Sequence, residues 1–280
     1  MSAPSYSVLI RTFNSAKTLP RTLESLQAQS VPPAAYIFVD SGSTDETLLN
    51  LPANSIVHRY VGEEFNYADA INQGLPHVKT KYVSIVSSHT TLSVPHGMEY
   101  ALMLLEQEEK MGAAYLVPDF PGPIRYEVID RKTFNGFNGL SNSCSIIKYH
   151  LLQKRIFRRE IFSAEDQEWA AWLLETEGLC TARISGAMGN NNPRRYSIRK
   201  RVNDHVCIAY YVKRNLLEWK YLAHLMGKVV YSPGPRGGMR ERCFSALLIA
   251  RLLSCRIMEP RGKSRYFSMR RRPCVVQKSH

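Results

Sequence analysis

Short apolar segments alternate with segments of helical periodicity over the first 90 residues of the chain. Residues 6–11 (YSVLIR), 36–39 and 82–86 are rich in β-branched and aromatic side chains and have the length of buried strands. Between the first two of them, residues 16–29 carry leucines at the spacing of one helix face. Strands and helices that alternate in this way are typical of a mainly parallel sheet with helices on its faces. The sequence therefore predicts an α/β fold.

The charge of the chain changes near residue 190. Residues 1–182 carry 15 Lys and Arg against 20 Asp and Glu, whereas residues 183–280 carry 22 against 4. The resulting net charges of −5 and +18 indicate an anionic partner for the C-terminal third, such as a membrane surface, a nucleic acid or a phosphate group. We expect one α/β domain over residues 1–190 and a basic, mainly helical extension over residues 191–280.

The most apolar part of this extension is the segment CFSALLIARLLSCRIM at residues 243–258. Arg242, Arg251 and Arg256 lie in or beside it, and three more arginines follow at residues 270–272. An apolar helix bordered by arginines suits an anionic membrane interface, because the arginine side chains reach the headgroups while the apolar side chains enter the lipid. Packing of this helix against the first domain is the alternative.

The sequence predicts neither a leader nor a membrane span. The chain starts without a basic segment followed by an apolar one, and it has no run of about 20 apolar residues. The six cysteines have no CxxC spacing, so we expect free thiols in a reducing cytoplasm. With the basic extension, these features predict a cytoplasmic protein that is peripheral on the inner face of the cell membrane.

Polar residues follow three of the predicted strands, as RTFN at 11–14, DSGSTD at 40–45 and SSH at 87–89. Ligands of open α/β sheets bind outside the carboxyl ends of the strands, so these residues are candidates for a binding site. The carboxylate of Asp40 can accept hydrogen bonds from a ribose hydroxyl or a base N–H, and Gly42 permits a tight turn beside a ligand. For the residues that follow Gly42, capping of the next helix is the alternative.

An acidic pair, Glu165 and Asp166, opens a predicted helix at residues 164–177. A carboxylate at the start of a helix can serve as a general base. The alternative is structural, because the helix dipole favours acidic residues in the first turn.

The chain resembles the family 2 glycosyltransferases of the GT-A fold over about residues 6–185. The resemblance rests on segments that occur in the family's order: SVLIRTFN, TLESLQAQ, YIFVDSGSTDET, FNYADAINQGL, YVSIVSSHTTL, SNSCSIIK and EDQEWAAWLLETEG. It implies an inverting glycosyltransferase with a nucleotide-sugar donor. Two other nucleotide-binding classes are excluded, because the turn after the first strand has neither the GxGxxG of Rossmann dehydrogenases nor the Gly-rich loop of nucleotidyltransferases.

The resemblance also implies a role for each candidate residue. The nucleotide sugar is expected to contact polar residues at the strand ends and on the predicted helix at 67–75, namely Thr12, Asn14, Asp40, Ser41, Gly42, Asp69, Asn72, Ser87, Ser88 and His89. Asp166 is the expected base that takes the proton of the acceptor hydroxyl, and Glu165 orients it. Asn142 and Trp169 are expected to contact the acceptor sugar.

One loop departs from the family pattern. The family has Asp-x-Asp after the strand at 82–86, where the carboxylates hold a divalent cation on the diphosphate, and this chain has Ser87-Ser88-His89. A hard cation prefers oxygen ligands with negative charge, which this loop lacks. His89 is then either a ligand of Mn²⁺ or Mg²⁺ or a donor to a phosphate oxygen.

A second departure concerns the metal-binding His that the family often has after the strand that follows the acidic pair. The corresponding region here reads GAMGNNNPRR. We therefore expect weak dependence on a divalent cation, with Arg194, Arg195 or Arg199 supplying positive charge to the leaving diphosphate.

The resemblance implies transfer of a sugar to a saccharide acceptor, expected to be lipid-linked, in the assembly of a bacterial surface polysaccharide. Within the family, the chain is similar to the rhamnosyltransferase-like members. The alternative is an adaptor without catalysis, which binds a membrane or, less expectedly, a nucleic acid through its basic C-terminus. Loss of the acidic metal motif favours the adaptor, whereas the presence of Asp40, Glu165 and Asp166 favours the enzyme.

Overall fold

The computed structural model describes residues 4–118, 123–190, 197–231 and 237–262. Strands and helices alternate along most of this chain, in the order β1 (Tyr6–Thr12), α1 (Leu19–Gln27), β2 (Ala35–Asp40), β3 (Ser55–Arg59), α2 (Tyr67–Gly74), β4 (Tyr82–Ser87), β5 (Thr90–Leu92), α3 (Gly97–Gln107), β6 (Met111–Pro118), β7 (Arg125–Ile129), β8 (Cys144–Lys148), α4 (Tyr149–Lys154), α5 (Glu165–Glu175), β9 (Cys180–Asn190), α6 (Ile198–Tyr211), α7 (Trp219–Val230) and α8 (Gly237–Ser254). Short 3-10 turns lie at Glu46–Leu48, Leu75–His77 and Arg214–Leu217.

The strands form one sheet in the order β3-β2-β1-β4-β8-β6-β9-β5, with β7 also paired to β9. The first four strands pair in parallel, as do β6 and β9. The later strands β5, β7 and β8 pair with their neighbours in the antiparallel direction. The predicted α/β fold is confirmed, and its parallel part is the half of the sheet that carries the three polar strand ends.

The sheet is buried on both faces, which explains why its inner strands are apolar at consecutive positions. In β1, Val8 and Ile10 join one hydrophobic cluster with α1 and α3, whereas Leu9 joins a second cluster with α2 and α5. The leucines predicted to share one face of α1 are buried in the first cluster, as expected: Leu19, Leu23 and Leu26.

Helices α6, α7 and α8 form a third hydrophobic cluster after β9 has ended. Leu222 of α7 and Leu248 of α8 lie in it, and so do Ile161 and Phe162 from the segment before α5. None of the helices in the described ranges is long and apolar enough to cross a membrane. The division of the chain at residue 190 stays a proposal. Five cysteines lie in the described ranges, and all are free thiols, as expected from the sequence: Cys144, Cys180, Cys207, Cys243 and Cys255.

Candidate active site

Asp40 ends β2, and its buried carboxylate fixes the turn that follows. Its Oδ1 accepts hydrogen bonds from the hydroxyls of Thr12 (2.8 Å) and Ser43 (2.5 Å). Its Oδ2 accepts from the N–H groups of Gly42 (3.0 Å) and Ser43 (2.8 Å). Four donors fill the acceptor capacity of a carboxylate. Gly42 has a φ of +86°, so this turn needs the left-handed conformation that glycine adopts without strain.

The three polar strand ends are joined by hydrogen bonds between their turns. The N–H of Asn14 donates to Ser43 Oγ (2.9 Å), and Asn14 Oδ1 accepts from the N–H of Thr44 (2.8 Å). The hydroxyls of Ser15 and Ser88 lie 2.9 Å apart, which connects the turns after β1 and β4. The clustering expected from the parallel strand order is therefore present.

Asp45 has the capping role that the sequence left open. Its Oδ1 accepts from the N–H of Thr47 (3.0 Å) at the start of the 3-10 turn, and its Oδ2 accepts from the N–H of Ala16 (3.2 Å). The carboxylate therefore stabilises the turn and ties it to the segment after β1.

Asp69 and Asn72 connect α2 to the segment between α4 and α5. Asp69 accepts a hydrogen bond from Tyr60 Oη (3.1 Å) and forms an ion pair with Arg159 Nε (3.0 Å). The Asn72 side chain makes two hydrogen bonds to the backbone of Phe157. Asn72 Nδ2 donates to the Phe157 carbonyl (2.7 Å), and the Phe157 N–H donates to Asn72 Oδ1 (3.1 Å). These contacts give both side chains a structural role, and their contact with a nucleotide stays a prediction.

The acidic pair at the start of α5 lies against the end of β1 and the loop before β8. Arg11 Nη1 forms an ion pair with Glu165 Oε1 (3.4 Å), and Asn142 Nδ2 donates to the same oxygen (3.3 Å). The N–H of Asn142 donates to Asp166 Oδ2 (3.2 Å). Two distant parts of the chain thus converge on the two carboxylates that the sequence singled out.

Asp166 is set apart from ordinary carboxylates by its environment. Burial first, and then the negative charge of Glu165, raise the pKa of Asp166 to about 7, although the hydrogen bond from Asn142 and the charge of Lys200 act in the opposite direction. The N-cap position is held by Ala164 in the left-handed conformation, with no side-chain cap. Capping accounts for only one contact of Asp166, the bond that its Oδ1 accepts from the N–H of Gln167 (2.9 Å).

The structure adds two groups to this site that the sequence reasoning missed. One is Arg11, which donates to Glu165 and also lies over the ring of Tyr67, 5.0 Å from its centroid. Its signal in the sequence is a charged residue inside an otherwise apolar strand. The other is the first turn of α6, where Lys200 pairs with Asp204 (3.1 Å) and Asp204 accepts from Ser163 just before α5.

The prediction that Trp169 contacts the acceptor is wrong. The side chain is completely buried, its Nε1 donates to the carbonyl of Arg155 (2.8 Å), and its ring lies 5.8 Å from that of Phe157 and 5.5 Å from that of Trp172. A ring without exposed surface cannot stack on a sugar. Asn142 is also buried, but its Oδ1 has no hydrogen-bond partner in the described structure, which keeps it a candidate for contact with a ligand.

The residues predicted to bind the diphosphate are only partly described. Arg194 and Arg195 lie outside the described residues, and Arg199 is exposed in the first turn of α6. Ser87 Oγ donates to the carbonyl of Asn142 (3.4 Å).

A divalent cation held by carboxylates does not fit the side chains at this edge of the sheet. The end of β4 and the loop after it offer two hydroxyls and an imidazole, while Asp40 and Asp45 accept hydrogen bonds from their own turns. The described residues contain no group of three or more His, Cys, Asp or Glu that could hold a metal ion. We therefore assign no step of the reaction to a metal.

Comparison with sequence families gives a match to Glycosyl transferase family 2 over residues 7–164. Among curated relatives, the PGL/p-HBAD biosynthesis glycosyltransferases of Mycobacterium bovis (strain BCG / Pasteur 1173P2) and Mycobacterium tuberculosis (strain ATCC 25177 / H37Ra) are each 38% identical over 82 residues. These residues are 27% of this chain and 31% of each relative, so the match spans less than a third of the length of these relatives.

Solved structures resemble a larger part of the chain. S. aureus TarS 1-349 in complex with UDP-GlcNAc matches with a TM-score of 0.55 at 17% identity. The match covers 90% of this chain and 72% of the TarS chain. The mannosyltransferase PcManGT from Pyrobaculum calidifontis, in complex with GDP-Man and Mn²⁺, matches with a TM-score of 0.56 at 16% identity. This match covers 91% of this chain and 74% of the PcManGT chain. Glucosyl-3-phosphoglycerate synthase from Mycobacterium tuberculosis, with Mn²⁺, UDP and phosphoglyceric acid, matches with a TM-score of 0.56 at 15% identity. This match covers 74% of this chain and 77% of the synthase chain.

At these identities the structural similarity shows the fold, which is the GT-A fold. The sequence match shows the family, because it covers more than half of the 280 residues. The protein therefore belongs to glycosyl transferase family 2.

Proposed function

We propose that the protein transfers a sugar from a nucleoside-diphosphate sugar to a hydroxyl of a saccharide acceptor, with inversion at the anomeric carbon. The observation that carries this proposal is the position and pKa of Asp166. A general base works best when its pKa lies near the working pH, and the pKa of Asp166 is raised to about 7. Its carboxylate lies beside Asn142 at the edge of the sheet where β1 and β4 end.

In the proposed step, the acceptor oxygen attacks C1 of the donor sugar from the side opposite the diphosphate. The bond between C1 and the diphosphate oxygen breaks as the new glycosidic bond forms, and the acceptor proton passes to Asp166. The N–H of Asn142 holds the Asp166 carboxylate in place. Glu165 is a positioning residue, because its charge raises the pKa of Asp166 while Arg11 fixes the Glu165 side chain.

The donor is proposed to lie over the turns after β1, β2 and β4. The complexes of TarS with UDP-GlcNAc and of PcManGT with GDP-Man support a nucleoside-diphosphate sugar. Thr12, Asn14 and Asp40 shape these turns through their hydrogen bonds. A thermal-shift screen of UDP, GDP and dTDP sugars tests this assignment. Retention on heparin without a shift by any nucleotide sugar would instead favour the adaptor without catalysis.

The acceptor is proposed to be a saccharide on a lipid carrier, at the cytoplasmic face of the membrane during assembly of a surface polysaccharide. The biosynthetic role named for the curated mycobacterial relatives supports a place in glycoconjugate assembly. The basic C-terminal third supports contact with an anionic membrane. Transfer to extracted lipid-linked saccharides, compared with transfer to the free saccharides, tests the class of acceptor.

Transfer is expected to survive EDTA, because the loop after β4 neutralises the leaving diphosphate without carboxylate ligands. In the proposed arrangement, His89 donates to a phosphate oxygen, and Arg194, Arg195 or Arg199 adds positive charge. His89→Ala is then expected to lower the transfer rate about tenfold or more, the value of a hydrogen bond to a charged group. The measurement is the rate of nucleoside-diphosphate release with EDTA, and again after addition of Mn²⁺.

Two results would count against this assignment. Loss of transfer in EDTA and its recovery with Mn²⁺ would make His89 a metal ligand instead. A His89→Ala variant as active as the wild type would remove the loop from both roles.

The transfer rate is expected to rise with pH through about 7, because Asp166 takes a proton only when it is ionised. The pKa of Asp166 is raised, so most molecules are inactive below this pH and active above it. The measurement is kcat/KM against pH for the wild type and for Asp166→Asn. We expect a rising limb near pH 7 in the wild type and its absence from the residual activity of the variant. A flat wild-type profile across this range would rule out Asp166 as the titrating base.

A further inference from the structure

Part of the exposed surface of α7 is apolar. Its buried face consists of leucines such as Leu222 and Leu225, which pack into the C-terminal hydrophobic cluster. The exposed residues on the other side are mostly apolar and follow helical spacing: Trp219, Ala223, Met226, Gly227 and Val230. At about 100° per residue they form one continuous stripe, bordered on one side by Lys220 and His224 and on the other by the buried leucines. A helix at a solvated surface normally carries charged residues at such positions.

Helix α8 repeats this pattern on a longer scale. Phe244, Leu248 and Leu252 are buried in the cluster. The opposite side carries an exposed stripe without any charged residue: Met239, Cys243, Ala246, Leu247, Ala250, Leu253 and Ser254. At about 100° per residue, Arg240 and Arg242 fall on its two borders.

The two helices lie together as a hairpin. They pack against each other, and the guanidinium of Arg256, just after α8, lies 4.1 Å from the centroid of the Trp219 ring at the start of α7. The apolar surface continues beyond the helices in exposed residues at both ends: Tyr231, Ile257 and Met258. An exposed apolar surface of this extent, bordered by basic residues, is unusual for a face that contacts only water.

We propose that the outward face of the α7–α8 hairpin is a docking surface for an anionic lipid bilayer, in which both helices lie flat in the headgroup region. The outward apolar stripes enter the lipid while the bordering arginines and lysines reach the phosphates. Trp219 and Tyr231 suit this depth, since their rings combine an apolar body with a polar atom.

The charge of the chain favours lipid over a second copy of the protein. Residues 183–280 carry 22 Lys and Arg against 4 Asp and Glu, so two such faces would repel each other. The negative potential of an anionic leaflet instead attracts each basic residue near the surface.

The hairpin is connected to the loop that carries Asn142. Phe244 on the buried side of α8 packs on His205 of α6, with 5.1 Å between ring centroids. His205 packs in turn on Phe137 (4.6 Å), which precedes Asn142 by five residues in the loop before β8. Two ring contacts therefore link the hairpin to the loop whose Asn142 is proposed to meet the acceptor. This step rests on the proposed function, whereas lipid binding itself does not.

The test compares two exposed valines in co-sedimentation with vesicles. Val230 on α7 is 79% exposed, and Val61 after β3 is 72% exposed and lies outside the hairpin. The wild type is expected to sediment with vesicles of phosphatidylcholine and phosphatidylglycerol in equal amounts, and much less with phosphatidylcholine alone. Val230→Glu and Leu247→Glu are each expected to lower the vesicle partition coefficient about tenfold, because each removes an apolar side chain from the lipid. Val61→Glu is expected to bind as the wild type does.

A second measurement uses the fluorescence of Trp219, and it does not depend on a charged substitution. Addition of the mixed vesicles is expected to shift the emission to shorter wavelengths, and Trp219→Phe is expected to abolish the shift. The other tryptophans, Trp169 and Trp172, lie in the α/β part of the chain.

Several outcomes would overturn the proposal. One is that both glutamate variants sediment with the vesicles as fully as the wild type does. Another is that the shift of fluorescence emission persists in Trp219→Phe. A wild-type protein that forms dimers without lipid, and whose dimers dissociate on Val230→Glu, would show an interface between copies instead. Because neither donor nor acceptor is present, failure of this test would leave the proposed transfer activity untouched.

Discussion

Asp166→Asn is expected to lower the rate of sugar transfer by at least about 10²-fold, the usual contribution of a general base, while the affinity for nucleotide hardly changes. The amide has the size of the carboxylate, and its oxygen can still accept the hydrogen bond from the N–H of Asn142. Only the ability to take a proton is lost. Release of nucleoside diphosphate measures the rate, and calorimetry measures the affinity.

A control for this substitution lies at the other end of the same helix. Glu175 pairs with Lys213 (3.4 Å) in the last turn of α5, so Glu175→Gln removes a carboxylate from α5 without touching the site. It is expected to transfer sugar at the wild-type rate. Glu165→Gln is expected to have a smaller effect than Asp166→Asn. The reverse order would make Glu165 the base, and near wild-type transfer by Asp166→Asn would exclude Asp166.

The same substitution is expected to stabilise the protein at high pH. The pKa of the Asp166 carboxyl is raised to about 7 in the folded state, whereas an unfolded carboxyl titrates near its ordinary value of 3.8. Between these values the folded state binds the additional proton, so the wild type loses free energy of unfolding as the pH rises. The amide does not titrate. Asp166→Asn should therefore unfold at a higher temperature than the wild type above pH 7, and the difference should shrink toward pH 3.8.

The sequence was sufficient to predict the parallel half of the fold and its strand ends. Asp40 and Ser88 could be expected to lie near Asn14 because β2, β1 and β4 are neighbours and parallel strands end at the same edge. The pairing of Arg11 with Glu165 joins residues 154 positions apart. It depends on how α5 docks against the sheet, and no local pattern encodes that docking.

Other elements could not be predicted from the sequence because their hydrophobic pattern is ambiguous. Helix α7 has apolar residues over more than half of its circumference, with Lys220, His224 and Lys228 together on the remaining side, so no narrow apolar face marks it in the sequence. Strand β8 lies in the segment SNSCSIIK, which is too short to distinguish from loop. Trp169 was misplaced for a related reason, because helical spacing identifies a face of α5 but not whether that face meets the core or the acceptor.

Asp40→Ala is expected to weaken nucleotide binding by about 1.5–3 kcal/mol, the value of hydrogen bonds to a charged group. The carboxylate accepts from Thr12 of β1 and from the backbone of Gly42 and Ser43, so its loss frees the turn on which the nucleotide is proposed to lie. Calorimetry with the nucleoside diphosphate measures the change. An unchanged affinity would remove Asp40 from the donor site.

A loss of nucleotide affinity in Asp40→Ala could also come from a general loss of order in the loop at residues 40–47. Substitution of Asp45 distinguishes this cause from a local effect of Asp40. Asp45 also accepts hydrogen bonds in this loop, from the N–H groups of Thr47 and Ala16, but it makes none of the contacts that hold the backbone of Gly42 and Ser43. Asp45→Ala is expected to lower the free energy of unfolding by about 0.5–2 kcal/mol, as for other helix caps, and to leave nucleotide affinity unchanged. Equal losses of affinity in both variants would mean that general order in the loop, rather than the conformation that Asp40 imposes on Gly42 and Ser43, determines donor binding.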